Sequence, residues 1–193
     1  MVASAAVLDV DDVDTDQIIP AERLKKVTDT GYADDLFADW RRDPGFVLND
    51  PRYRAAAVLV AGRNFGCGSS REHAVWALRD FGFRAVISAK IADIFRGNAA
   101  GAGFVPVELP EPVVAAIMAA VRGDSTALVE VDVSRRRVRM AAAGVDEPLA
   151  LPVSVCRRIE LGLDEIDMTL EREDQIRAHE GDRPVWMPAL PVA

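Results

Sequence analysis

The sequence predicts an α/β domain in which a parallel sheet is extended by antiparallel strands. Residues 56–109 alternate short continuous apolar runs with amphipathic stretches, the β-α-β-α-β order of crossover connections. Residues 127–153 change to apolar–polar alternation, which suits strands with one solvated face. At 193 residues, 50% hydrophobic and 28% charged, the chain suits one domain with a real core, or one domain with an appendage.

Taken in order, residues 5–10 read as a short strand that empties into the acidic turn Asp11-Asp12-Val13-Asp14-Thr15-Asp16. Pro20 suits the first turn of a helix over 21–27. Residues 31–50 are irregular, with Leu36, Phe37, Trp40 and Phe46 spaced for one short helix before a loop near Pro44, and are read as an insertion outside the core. The run 56–61 is a strand buried on both faces. A Gly-rich turn follows, then a helix over 70–81 with Ala74, Trp76, Ala77, Leu78 and Phe81 on its apolar side. Next come a strand at 84–88, a helix at 91–98, a strand at 103–109 and a helix at 113–121. Further strands are expected at 127–133, 137–140 and 149–153. A charged helix over 169–180 and a Pro-rich extended tail complete a C-terminal segment at about 164–193.

Composition removes several classes of function. A net charge of −8 argues against a nucleic-acid surface, which needs a basic face. The first eight residues lack the basic n-region of a signal peptide, and no apolar run approaches the ~20 residues that span a bilayer, so a cytoplasmic protein without membrane attachment is expected. Cys67 and Cys156 are the only cysteines, too few for a disulfide framework or for an iron–sulfur cluster held by this chain alone. With His73 and His179 they also lack the paired short spacings of a structural zinc site.

Most of the chemistry is concentrated in Gly62-Arg63-Asn64-Phe65-Gly66-Cys67-Gly68-Ser69-Ser70-Arg71-Glu72-His73. Glycines let the backbone approach a ligand, and the first amides of a helix have no intrahelical partner, so an anion belongs there. The run completes neither the phosphate-loop nor the dinucleotide pattern. Ser69, Ser70 and Arg71 instead bring two hydroxyls and a guanidinium to a helix start, which suits a carboxylate or phosphate. Ser69 to Glu72 also fits a capping box with Ser69 as N-cap, although a cap requires neither Arg71 nor Arg63.

Other residues carry two readings each. Asp14-Thr15-Asp16 is a solvated acidic turn, or a carboxylate source that orients a serine or an arginine. Lys25 and Lys26 answer a helix macrodipole, or contact substrate from a loop. His73 is a structural hydrogen-bonding residue or a base. Cys67, between glycines at a helix start, is expected to have a lowered pKa, and a Cys67–His73 nucleophile pair lacks an evident third group.

Asp14-Thr15-Asp16-Gln17-Ile18-Ile19-Pro20, the Gly62–Ala74 run and Ala92-Asp93-Ile94-Phe95-Arg96-Gly97-Asn98 occur in this order. Together they strongly resemble the small subunits of bacterial 3-isopropylmalate dehydratases, which correspond to the swivelling domain of aconitase. The likeness runs from about Leu8 to Pro188 and includes the aromatic stretch around Trp40. It implies an aconitase-type swivelling β/β/α domain over residues 1–193, a mixed sheet or barrel-like strands with flanking helices. It also implies half of a hydro-lyase that interconverts 2- and 3-isopropylmalate in leucine biosynthesis, paired with a large subunit that bears a four-iron four-sulfur cluster. This chain alone would bind no cofactor. By the same resemblance Ser69 is the base that removes a carbon-bound proton, Asp16 supports it, and Ser70 and Arg71 bind substrate carboxylate. Lys25 and Arg63 are further candidates for contact with the anionic substrate, a small hydroxy-dicarboxylate.

Two positions depart from the family pattern. Arg23 stands where a bulky apolar residue usually precedes Leu-Lys, and Phe104 replaces an expected leucine. They leave open the same chemistry on methylmalate, maleate or homocitrate-like acids. Readings from other classes are a non-catalytic carboxylate-binding module and a glycine-loop phosphate binder.

Overall fold

The computed structural model describes residues 1–25, 28–163, 165–183 and 186. The chain divides into two compact units, Met1–Gly162 and Leu163–Ala193. The first is built on a seven-stranded mixed sheet. Its strands are β1 (Val2–Leu8), β2 (Val58–Ala61), β3 (Ala85–Ser88), β4 (Val105–Glu108), β5 (Leu128–Asp132), β6 (Arg137–Met140) and β7 (Val145–Pro148), in the order β4-β3-β2-β1-β5-β6-β7.

β1 is the seam between the two halves. Its end runs parallel to β2, from Ala5 opposite Val58 to Leu8 opposite Ala61, while its start runs antiparallel to β5, from Val2 opposite Glu130 to Ser4 opposite Leu128. β2 and β3 are buried at every residue, as their unbroken apolar runs require, whereas β5 and β6 alternate buried and more exposed positions. Two helices, α2 (Glu72–Phe81) and α3 (Asp93–Gly101), lie in the crossovers β2-α2-β3-α3-β4. The order β4-β3-β2-β1 runs one way, so right-handed crossovers place α2 and α3 on the same face, where they touch. Helix α4 (Glu111–Gly123) packs on β1, β2 and β3.

Several expectations are corrected. The acidic turn contains a short helix, α1 (Thr15–Ile18), closed by a capping box: Gln17 N–H donates to Asp14 Oδ1 at 2.7 Å, and Asp14 N–H donates to Gln17 Oε1 at 2.8 Å. The helix expected over 21–27 is a single 3-10 turn, Ala21–Arg23, and Lys26 and Val27 lie outside the described residues. Residues 31–50 contribute to the core: Tyr32, Leu36 and Phe37 are fully buried, and Phe37 stacks on Trp40 at 5.3 Å between centroids. Phe104 is a core residue, 1% exposed.

The last strand of the sheet is Val145–Pro148 rather than 149–153. It pairs antiparallel with β6, from Arg137 opposite Pro148 to Met140 opposite Val145, and charge pairs cross the ladder: Arg137 meets Asp146 at 2.7 Å, and Arg139 meets Asp146 at 3.1 Å and Glu130 at 3.3 Å. A helix, α5 (Val153–Leu161), begins where strand was expected to end. In the C-terminal unit the single charged helix becomes two, α6 (Glu165–Leu170) and α7 (Glu173–Gly181), and of the expected tail only Trp186 is among the described residues.

Candidate active site

The carboxyl ends of parallel strands are where an α/β sheet presents loops to a ligand. Here the segments leaving β1, β2 and β3 continue the parallel ladder past the strand ends. Asp12 N–H donates to Arg63 O at 2.8 Å, Gly66 N–H to Val13 O at 2.7 Å and Thr15 N–H to Cys67 O at 2.9 Å. On the other side Phe65 N–H donates to Lys90 O at 3.0 Å and Ala92 N–H to Phe65 O at 2.9 Å. The Gly-rich turn is therefore held between two neighbours, and two of its glycines, Gly62 and Gly66, are sterically required. A Cβ on Gly62 would lie 2.2 Å from Val10 O, and one on Gly66, at φ +73°, would lie 2.4 Å from the Phe95 ring.

Beyond Gly68 the chain bends at Ser69, Arg71 is extended, and α2 begins only at Glu72. The capping box expected from Ser69 is not formed: Arg71 is the N-cap residue, with no side-chain cap, and the Ser69 carbonyl accepts from Thr15 Oγ1 at 3.1 Å. Ser69 and Ser70 are exposed, and their hydroxyls have no hydrogen-bond partner among the described residues.

Arg71 is largely buried, with its side chain 16% exposed, and Nη1 donates to Asp16 Oδ1 at 2.5 Å and to Ile19 O at 3.5 Å. Asp16 is thus brought to Arg71 and not to either serine hydroxyl. Nε and Nη2 of Arg71 have no partner among the described residues, which leaves one edge of the guanidinium for a carboxylate. Arg63 sits at the other end of the turn. Its amide donates to Asp11 Oδ1 at 2.6 Å, and its exposed side chain lines a cavity of about 160 Å³ with Asp11, Asp12, Asn64 and Lys90. Lys25 is exposed and makes no ion pair among the described residues. Arg23 approaches the buried Asp35 at 3.7 Å, which fastens the 3-10 turn to the following segment.

The expectation for Cys67 is reversed. Burial pushes its thiol pKa up, and the Asp14 and Asp12 carboxylates add to the rise. The sulfur faces the acidic turn, its Sγ donating to Asp12 O at 3.4 Å, and α2 begins only at Glu72, so the thiol does not sit at a helix start. His73 packs edge-on to Tyr32 at 5.3 Å and against Trp76 at 4.7 Å, and the Cys67 thiol donates to Asp12 O rather than to the imidazole.

Sequence reasoning missed Thr15 and Ser88. Ser88 is fully buried and its Oγ lies 2.6 Å from Gly62 O and 2.8 Å from Lys90 O. Among the described residues no group of three or more His, Cys, Asp or Glu side chains is placed to hold a metal ion, so they do not fit the ligand set of a cluster.

Residues 3–112 match the Aconitase C-terminal domain, and residues 165–193 match the C-terminal domain of the 3-isopropylmalate dehydratase small subunit. The 3-isopropylmalate dehydratase small subunit of Frankia alni is 51% identical over 92% of this chain and 90% of its own length. The protein of the same description from Thermobifida fusca is 50% identical over 91% of this chain and 89% of its own. The chain belongs to the 3-isopropylmalate dehydratase small-subunit family. Its fold agrees with that of the family: the crystal structure of a 3-isopropylmalate dehydratase from Methanocaldococcus jannaschii superposes with a TM-score of 0.65 at 28% identity, over 94% of this chain and 100% of that one. The mixed sheet with flanking helices is the expected aconitase-type α/β fold.

Proposed function

We propose that this chain is the small subunit of a hydro-lyase that interconverts 2- and 3-isopropylmalate by dehydration and rehydration in leucine biosynthesis, active only with a large subunit. The observation that carries this is its likeness to small subunits of 3-isopropylmalate dehydratase over nine-tenths of both chains at about half identity. A cytoplasmic location accords with the biosynthetic family and with the finding that no helix among the described residues is long and apolar enough to cross a membrane.

In this reading the free edge of Arg71 takes a substrate carboxylate in a two-pronged contact, with the Ser70 hydroxyl beside it. Asp16 holds the guanidinium from behind through Nη1 and so selects which edge faces the substrate. Ser69 is the base. A serine hydroxyl is a weak base, so its alkoxide depends on the Arg71 charge and on the free amides at the start of α2. The Ser69 alkoxide takes the carbon-bound proton, the C–O bond at the neighbouring carbon breaks, and the departing hydroxide takes up a proton from solvent and leaves as water. In re-addition a water gives its hydroxyl to the carbon that lost the proton and releases its own proton, while Ser69 returns its proton to the carbon that lost the hydroxyl. The four-iron four-sulfur cluster, borne by the large subunit, supplies Lewis acidity toward the substrate hydroxyl when bound. Lys25 and Arg63, cations without ion-pair partners among the described residues, are available to the same anionic substrate.

Replacing Ser69 with Ala tests the assignment in the reconstituted two-subunit enzyme. Turnover falls on the order of 10²–10⁴-fold, with melting temperature and partner binding unchanged. Near-normal turnover by that variant contradicts the role given to Ser69.

A further inference from the structure

We propose that Thr15 is a positioning residue that acts on Ser69 through the backbone of the turn, an inference that rests on the reading of Ser69 as the base. Thr15 is 1% exposed, one of three buried polar side chains among the described residues, with Asp35 and Ser88. Two of the three hold this turn. Ser88 Oγ meets the Gly62 carbonyl at 2.6 Å at its start, and Thr15 Oγ1 donates to the Ser69 carbonyl at 3.1 Å at its end.

Thr15 makes a second bond on the other side of Gly68, where its amide donates to Cys67 O at 2.9 Å. The two bonds bracket Gly68, whose φ of +88° turns the chain toward Ser69. Arg71 is the N-cap of α2 and its carbonyl accepts from Ala74 N–H at 3.3 Å, whereas Ser69 and Ser70 precede it and gain nothing from the helix ladder. Among the described residues, the Thr15 hydroxyl makes the one hydrogen bond that fixes the Ser69 backbone. A base displaced by about 1 Å loses on the order of 10²-fold in rate, so this bond has leverage on the chemistry without touching substrate.

The test is steady-state kinetics of the reconstituted enzyme carrying Thr15→Val, which keeps shape and removes the hydroxyl, and Thr15→Ser, which keeps the hydroxyl. Each is made in the wild-type and Ser69→Ala backgrounds. Thr15→Val lowers kcat about 10–100-fold with KM nearly constant, and Thr15→Ser stays within about threefold of wild type. In the Ser69→Ala background Thr15→Val adds no further loss, because the residue it positions is gone. Should the valine variant misfold, Thr15→Ala takes its place in the cycle.

Wild-type kcat in Thr15→Val beside an inactive Ser69→Ala overturns the inference and leaves the role of Ser69 standing. A Thr15→Val loss that persists in the Ser69→Ala background, or a serine variant as impaired as the valine one, also overturns it. Full activity in Ser69→Ala alone removes the base assignment and this inference together.

Discussion

Asp16 and Arg71, 55 positions apart in sequence, are joined at 2.5 Å between Oδ1 and Nη1, with the arginine side chain 16% exposed and the aspartate 55% exposed. A half-exposed carboxylate adds little to stability, so the value of the contact lies in orientation.

Arg71→Lys removes the fork and leaves a point charge. A charge-assisted hydrogen bond is worth about 1.5–3 kcal/mol, so kcat/KM of the reconstituted enzyme falls at least about tenfold. Asp16→Asn keeps the arginine and gives a smaller loss. An Asp16→Asn variant more damaged than Arg71→Lys contradicts the view that Asp16 acts by holding Arg71.

Gly66 and Gly97 form a contrasting pair. At Gly66 a Cβ would meet the Phe95 ring at 2.4 Å and φ is +73°, whereas at Gly97, inside α3, nothing lies within 4 Å. Gly66→Ala destabilises by about 2 kcal/mol or more, a melting-temperature drop of roughly 5 °C or more. Gly97→Ala stabilises by about 0.5–1 kcal/mol through helix propensity. Thermal melts of the two variants, moving in opposite directions, check both.

The Cys67 thiol is pushed up by burial and by the carboxylates of Asp14 and Asp12, and resists deprotonation near neutral pH. Iodoacetamide labels it at pH 7.5 more slowly than it labels a short peptide thiol, and labelling accelerates above pH 9. Mass spectrometry of the labelled site reads the rate. Fast labelling at neutral pH would restore an activated thiol to consideration.

Asp146 is held below the usual carboxylate range, chiefly by its hydrogen bond to Arg137. A carboxylate with a depressed folded pKa stabilises above its unfolded value of about 3.9, and the contribution fades as pH falls through the lower folded value. Melting temperature therefore drops more between pH 5 and pH 3 in the wild type than in Asp146→Asn. Identical slopes for the two proteins would show that the β6–β7 charge ladder does not contribute.

The parallel half of the sheet was readable because strands buried on both faces leave unbroken apolar runs, as at Val58–Ala61 and Ala85–Ser88. β7 was not, because Val145 is its one buried residue, so Val145-Asp146-Glu147-Pro148 shows no apolar alternation and its pairing with β6 is a signal that no local window contains. Tyr32 and Phe37 were hidden for a similar reason: irregular backbone concealed side chains that fill the core. In the site, the Gly-rich turn was visible from its glycines, and Arg71 from its charge. Asp16 was visible too, but whether it serves a serine or an arginine was not, since pairing across 55 residues depends on β1 lying beside β2. Thr15 left one local trace, the Asp14-x-x-Gln17 capping box that starts α1 and turns its hydroxyl toward the Ser69 carbonyl.

On the proposed reading this chain carries half of an active site. Turnover of 3-isopropylmalate by the purified chain, measured with and without a cluster-bearing large subunit, tests it most directly. The chain alone is inactive and the mixture turns over. Full turnover by the isolated chain would show that the active site is complete without a partner.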